Sequence, residues 1–355
     1  MDIVNLRLRN QRLVEPRLER PEEVVSWLGA VQSQEYQGAK WALAMRTPDA
    51  TDESIERAFN DGLILRTHVM RPTWHFVTPA DIRWLLELTA SRVNAKYRLV
   101  YRELELDEPT VAKTTSVLTS ALRGGKHLTR AELADALRQS GIPGDARRFN
   151  FILQRAELDA VVCSGPRRGK QFTYVLLDER APVAKPFHRE EALAELTRRY
   201  FTSHGPATVQ DFAWWSGLTI RDIRVGIDML RGELVDETID GKRYWLSLVG
   251  QSGPLDSPVV HLLPQFDEFL VAYRDRSAAV DPDHSGHPVV DDAISKLVFT
   301  VDGRVAGTWS RTPSKGTVGI SWSAVRDLGE EEIQALAAAA ERYGQFLGVP
   351  VALIP

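Results

Sequence analysis

The feature that most limits how this chain can fold is a succession of local signals that occurs twice. In GGKHLTRAELADAL, beginning at Gly124, Thr129 is followed three residues on by Glu132; in SHGPATVQDFAWWSGL, beginning at Ser203, Thr208 is followed by Asp211. A threonine answered by an acid at the third helical position is a capping box, so each marks a helix start. An amphipathic helix is expected before each, near 110–123 and over 189–201, the latter with Leu193, Leu196 and Tyr200 on one face. A second helix follows each: 146–157, with Phe149, Ile152 and Leu153, and 219–231, with Ile220, Ile223, Ile227 and Leu230. Both copies end on two strands about a Gly-containing turn, 158–162 and 172–176 around 165–170, then 234–237 and 244–246 around 240–243. Helices followed by a hairpin make a winged helix-turn-helix. A more divergent copy is expected at the start, with helices 20–32 and 52–60 and strands 63–66 and 73–77.

The expected fold is therefore α+β: tandem winged helix-turn-helix modules over 1–105, 106–186 and 187–252, then a small β-rich domain over 253–355. In that last part, Asp302-Gly303 signals a hairpin, TVGISW reads as a strand, and an acidic helix over 329–347 turns Ile333, Leu336, Ala340 and Tyr343 inward. The polar stretch 281–292 reads as an exposed loop.

Winged helices bind DNA or other proteins. Here the basic turn Arg167, Arg168 and Lys170, the later turn Lys242 and Arg243, and Arg147 with Arg148 on a would-be recognition helix favour DNA. The net charge of −4 means that these must act as local patches, since nonspecific DNA binders are usually basic overall. No run of about 18 apolar residues is present, so no membrane span is expected. The start, MDIVNLRLRN, lacks the apolar segment of a secretory signal, so a cytoplasmic location is expected. The single cysteine, Cys163, lies in the apolar run DAVVC and reads as a buried strand thiol.

Common hydrolase signatures are absent: there is no Gly-x-Ser-x-Gly, Walker-type loop or His-Glu-x-x-His. His284 and His287 lie near Asp281, Asp283 and Asp291, but loop composition explains them, and neither metal nor cofactor is expected. Asp267 and Glu268, read as strand residues, would face opposite ways, one of them bonded to Arg274 or Arg276. His75, between Trp74 and Phe76, reads from its surroundings as a hydrogen-bonded core histidine. Gln32 and Gln34 place two neutral amides one residue apart, at the end of an apolar helix bearing Val24, Val25, Leu28 and Val31, with Trp41 nearby.

The segments VQSQEYQGAKWALAMR (31–46), RTHVMRPTWHFV (66–77), HGPATVQDFAWWSGL (204–218) and LLPQFDEFLVAYRDRS (262–277) together resemble the winged-helix DNA glycosylases of the AlkZ/YcaQ type, in register over nearly the whole chain. The resemblance implies a monomeric, cofactor-free enzyme that grips double-stranded DNA and excises N7-alkylated guanine, including bulky natural-product adducts and interstrand crosslinks. The family's Gln-x-Gln motif falls on Gln32 and Gln34, and its Thr-x-His pair on Thr73 and His75. It also implies that Gln32 and Gln34 are catalytic, and Thr73, His75 and the nearby Trp41 are expected to support the site. Two other readings stand beside it: a winged-helix transcription regulator, which would dimerise on a fixed operator, and a non-catalytic binder of damage or drug.

Overall fold

A computed structural model of the chain describes residues 1–181, 187–248, 253, 255 and 258–354. The expected boundaries at 186 and 252 fall outside these residues. Both repeated capping boxes are formed. Thr129 N donates to Glu132 Oε2 at 2.7 Å and Glu132 N to Thr129 Oγ1 at 3.3 Å. Thr208 N donates to Asp211 Oδ2 at 2.9 Å and Asp211 N to Thr208 Oγ1 at 3.1 Å. A cap of this kind contributes roughly 1 kcal/mol to the helix it starts. Around the first box lie helices Glu108–Leu122, Arg130–Gln139 and Ala146–Leu158, then strands Val162–Ser164 and Thr173–Leu176, with Cys163 fully buried. Around the second lie helices Arg189–Ser203, Val209–Ser216 and Ile220–Met229, then the antiparallel ribbon Leu234–Ile239 and Lys242–Ser247.

The first stretch departs from expectation at two points. The apolar helix stops at Leu28 rather than running to residue 32, because Gly29 takes a left-handed backbone (φ 81°) that ends it. Gln32 therefore lies on a short strand, β1 (Val31–Gln32). The next strand, β2 (Leu65–His68), begins two residues later than expected, since Leu63 N and Ile64 N are spent on Ala58 O at the end of helix Asp52–Asn60. Strand β3 (Trp74–Val77) lies between β1 and β2, antiparallel to both.

The last part is a five-stranded sheet with strands in the order Val351–Ile354, Thr317–Ala324, Arg304–Ser314, Val298–Val301 and Val260–Leu263. Asp302 and Gly303 turn the expected hairpin. Helix Glu330–Leu347 buries Leu336, Ala340 and Tyr343, but Ile333 is 44% exposed: it sits in the first turn, beyond the covered part of the apolar stripe. The stretch 281–292 holds two short helices, Pro282–His284 and Pro288–Asp291, and Val290 is buried rather than part of an open loop. One hydrophobic core joins Val24, Leu28 and Trp41 of the first stretch to Leu262, Phe299 and Tyr343 of the last.

Asp267 and Glu268 explain how the two ends are fastened. They open the helix Glu268–Val271 instead of lying on a strand, and both are buried. Asp267 takes two hydrogen bonds from Arg46, at 2.8 and 3.0 Å, and not from Arg274 or Arg276. Arg46 is itself 1% exposed and also bonds Gln11 and Ala42. Removing the charge of one partner of such a pair leaves the other buried and uncompensated. Asp267→Asn is expected to lower unfolding stability by roughly 3–5 kcal/mol, read by urea denaturation.

Candidate active site

The three-stranded sheet brings the motif residues together. Gln32 pairs with His75 across β1 and β3, and His75 with Thr67 across β3 and β2. Side chains directly opposite share a face of a sheet, so Gln32, His75 and Thr67 form one row. All three are buried, and Gln32 Oε1, His75 Nε2 and Thr67 Oγ1 have no hydrogen-bond partner among the described residues. Such unspent buried polar atoms are rare and mark either strain or function. Gln32 Nε2 reaches Thr73 Oγ1 at 3.5 Å, and His75 Nδ1 lies 2.9 Å from Thr73 O. A carbonyl only accepts, so the His75 proton resides on Nδ1 and Nε2 presents a bare lone pair. Ser33 N donates to Trp74 O, and Gln34 emerges beyond it, exposed at the same end of the sheet.

Behind this row lies Glu268. Its Oε1 accepts from Gln32 N at 2.7 Å and its Oε2 from Trp215 Nε1 at 2.8 Å, with His204 Nε2 at 3.6 Å. Burial pushes this carboxyl up, but His204, the Gln32 N–H and the charge of Arg71 together bring it below the ordinary range. It is therefore an ionised group beneath a neutral amide pair. Arg71 follows Met70, which holds a left-handed φ of 61°. Met70 N donates to Thr89 Oγ1 at 3.1 Å, and its carbonyl lies where a Cβ on Gly217 would come within 2.6 Å. The loop that carries Arg71 and Thr73 is thus wedged against the end of helix Val209–Ser216. Arg71 Nε and Nη2 are buried without hydrogen-bond partners among the described residues, and burial lowers the guanidinium's pKa against the pull of Glu268.

The other expected residues fall elsewhere. Trp41 is not brought to the amide pair: its ring packs on Tyr343 and Phe346 and its Nε1 donates to Leu262 O at 2.6 Å, because it sits on the core side of helix Tyr36–Ala44. Arg147 pairs with Glu103, Arg168 with Glu132, Lys242 with Asp275 and Arg243 with Asp236. Arg148 bonds the carbonyls of Pro143 and Glu105. Arg167 folds back between Tyr36 and Phe172, 4.9 and 4.7 Å from their ring centres. Of the seven, Lys170 alone has an exposed side chain with neither hydrogen bond nor ion pair among the described residues. His284 lies 4.0 Å from Asp281, and among the described residues no group of three or more His, Cys, Asp or Glu is placed to hold a metal ion. No helix of the described residues is long and apolar enough to cross a membrane.

Sequence reasoning missed Thr67, Arg71 and the contact of Glu268 with Gln32. The alternation of β2 and β3 could have found Thr67, two residues before Val69 in RTHVMRPTWHFV. Nothing local could have paired residues 32 and 268.

Burial holds the His75 imidazole down at about 3, with Arg71 adding to the effect. Unfolded, it would titrate near about 6.5. Between those values the unfolded chain binds a proton that the folded one refuses, so stability is full above about 6.5 and falls as pH drops through the window. His75→Asn is expected to flatten the dependence of unfolding free energy on pH between about 6 and 4 by up to about 1.4 kcal/mol per pH unit, the value for one proton. Parallel urea titrations check this. His204 and His261, also held down by burial, account for the dependence that remains.

The chain as a whole is similar to known proteins. A family model described as DNA glycosylase AlkZ-like matches residues 25–346. A curated relative from Streptomyces sahachiroi, an interstrand DNA cross-link repair glycosylase, is 26% identical over 314 residues, covering 84% of this chain and 84% of its own. The solved structure of Streptomyces sahachiroi DNA glycosylase AlkZ superposes with a TM-score of 0.80 at 22% identity, over 99% of this chain and 98% of that one. With its match extending across most of the sequence, this chain belongs to the AlkZ-like DNA glycosylases, hydrolases of N-glycosyl bonds.

Proposed function

We propose that the chain hydrolyses the N-glycosidic bond of N7-alkylguanine in duplex DNA, acting as a monomer whose tandem winged-helix modules embrace the damaged site. The observation that carries this reading is the amide Gln32 aligned with His75 on one sheet face, with Gln34 exposed beside it and an ionised carboxylate behind. Alkylation at N7 gives the base a positive charge, which is relieved when it leaves as a neutral molecule. The C1′–N9 bond breaks with its electron pair going to the base, and the sugar passes through an oxocarbenium-like state. A water oxygen then bonds to C1′, and its proton departs to solvent. Such chemistry needs a placed water and stabilised charge more than a strong base. Gln32 and Gln34 orient the water through their amide oxygens. The neutral His75 supplies a further acceptor, and the Glu268 carboxylate contributes negative potential where the sugar becomes cationic.

The lysine of these motifs, Lys40, is buried and paired with Asp52 and Glu56 rather than set up to form a Schiff base, so an abasic site is the product. The cross-link repair named for the relative suggests that bulky adducts and interstrand crosslinks are also substrates. Family membership favours this reading over a transcription regulator.

The direct test is release of N7-methylguanine from duplex DNA without added metal; no release of it or of bulkier N7 adducts, with DNA binding intact, overturns the reading. Gln34→Ala is expected to lower the single-turnover rate roughly 10²- to 10³-fold, as loss of one preorganised polar group does. Gln32→Ala should also slow release, and the melting temperature of Gln34→Ala should stay near that of the parent. Binding supplies a separate check. Arg168→Ala with Lys170→Ala should flatten the slope of log K against log salt by about 0.9 for each phosphate that is no longer neutralised. Damaged and undamaged duplex should weaken alike, since groups that meet only phosphate read no base information. An unchanged slope would place this turn away from DNA.

A further inference from the structure

One cation at the site spends none of its side-chain hydrogen bonds. Arg71 lies in the tight turn between β2 and β3, where Arg71 N donates to Val69 O at 2.6 Å and Thr73 N to Arg71 O at 2.8 Å, with Pro72 between. The turn is thus held by its own backbone. Thr73 meets the catalytic row directly, its Oγ1 reaching Gln32 Nε2 and its carbonyl His75 Nδ1, so the turn stands at the rim of that row. Gln34 is exposed at the same end of the sheet, and Arg71, Pro72 and Thr73 each keep part of their surface. The charge of Arg71 acts on both Glu268 and His75. Glu268 cannot take its N–H groups, since Gln32 N and Trp215 Nε1 occupy both carboxylate oxygens. The two unspent buried atoms, Nε and Nη2, form one edge of the guanidinium. That edge carries the parallel pair of N–H bonds that grips two oxygens of a carboxylate or phosphate.

We propose that Arg71 clamps a phosphodiester next to the damaged nucleotide, on the same strand, through its Nε–Nη2 edge, and so holds C1′ against the Gln32 and Gln34 amides. The inference rests on the glycosylase reading and adds the group that positions the sugar. Two physical costs identify the ligand as an anion. Buried N–H groups without acceptors are expensive, and an unpaired guanidinium opposes a reaction in which the neighbouring sugar becomes cationic. A phosphate removes both, and it is the anion that every nucleotide brings with it. The edge is shielded in the free protein, but no hydrogen bond holds it, so turning it onto a phosphate breaks none. The close approach of Met70 O to Gly217 fixes the point from which the side chain turns. A reaction driven by relief of charge on the leaving base gains most from such positioning. A clamp on the backbone encloses no base, so it serves bulky or tethered adducts as well as a methylated guanine.

The experiment measures single-turnover release of N7-methylguanine by the full chain from duplexes in which the phosphate on the 5′ or the 3′ side of the lesion is replaced by a neutral methylphosphonate. The parent is expected to slow by about 10- to 100-fold at one of the two positions, the range for losing a hydrogen bond to a charged group. Arg71→Ala should slow by a similar factor on the unmodified duplex and lose little more on the modified one, since both changes remove the same contact. Arg71→Lys keeps the charge that faces Glu268 but lacks the fork. It should fall between the two and retain part of the phosphate dependence. A purely structural role for Arg71 gives instead a slowing that adds to that of the methylphosphonate. Such additivity in both variants, or a parent indifferent to both replacements, overturns the clamp and leaves the glycosylase reading standing. A parent that binds DNA but releases no base from any duplex overturns that reading instead. Fluorescence anisotropy of the same lesion duplexes then tests the clamp by the same comparison, with additive losses of affinity counting against it.

Discussion

Two adjacent buried carboxylates hold this molecule together. Asp267 caps its own short helix and grips Arg46, which in turn bonds Gln11. Glu268 grips the backbone of Gln32 and the indole of Trp215. Through two consecutive residues, the β-rich end of the chain is fastened to the N-terminal helices, to the strand bearing the motif, and to helix Val209–Ser216. Burying a charge is costly unless it is paired and hydrogen-bonded: Asp267 has both from Arg46, and Glu268 has hydrogen bonds from Gln32 N–H and Trp215 together with the charge of Arg71. The apolar core around Trp41, Leu262 and Tyr343 supplies adhesion between the same segments, and the two acids supply direction.

That direction matters for the chemistry. The amides at 32 and 34 cannot accept a full proton, and burial leaves the imidazole of His75 a weak base. In the proposed reaction such groups suffice because the leaving base is already cationic, whereas a neutral base would need protonation to leave. The ionised Glu268 lies one backbone amide away from Gln32, so its potential reaches the site while its oxygens are occupied by Gln32 N–H and Trp215.

The surface shows similar restraint. Most of the arginines expected to reach DNA are engaged with acids or carbonyls, as Arg147 with Glu103 and Arg243 with Asp236. Exposed pairs of this kind are weak, with a median contribution of about 0–1 kcal/mol, so the proposed phosphate contacts would cost little to form. The net charge of −4 keeps nonspecific attraction low.

What the sequence determined is whatever depends on near neighbours. The capping boxes at Thr129 and Thr208, the apolar faces of the helices, and the turn at Asp302-Gly303 involve partners a few residues apart, and each formed as its local chemistry required. The motif residues Gln32, Thr73 and His75 were legible through their likeness to a family, and the sheet does set them side by side. Burial and distant partners were not legible. Trp41 looked like part of the site because it is near Gln34 in sequence, but helix periodicity turned it to the core. Arg167 looked like a free wing cation until Tyr36 and Phe172 closed on it. The union of Gln32 with Glu268 spans 236 residues and that of Arg46 with Asp267 spans 221. A carboxylate's partner is chosen by which surfaces the fold presses together, and no local rule of spacing carries that information; only the tertiary structure decided it.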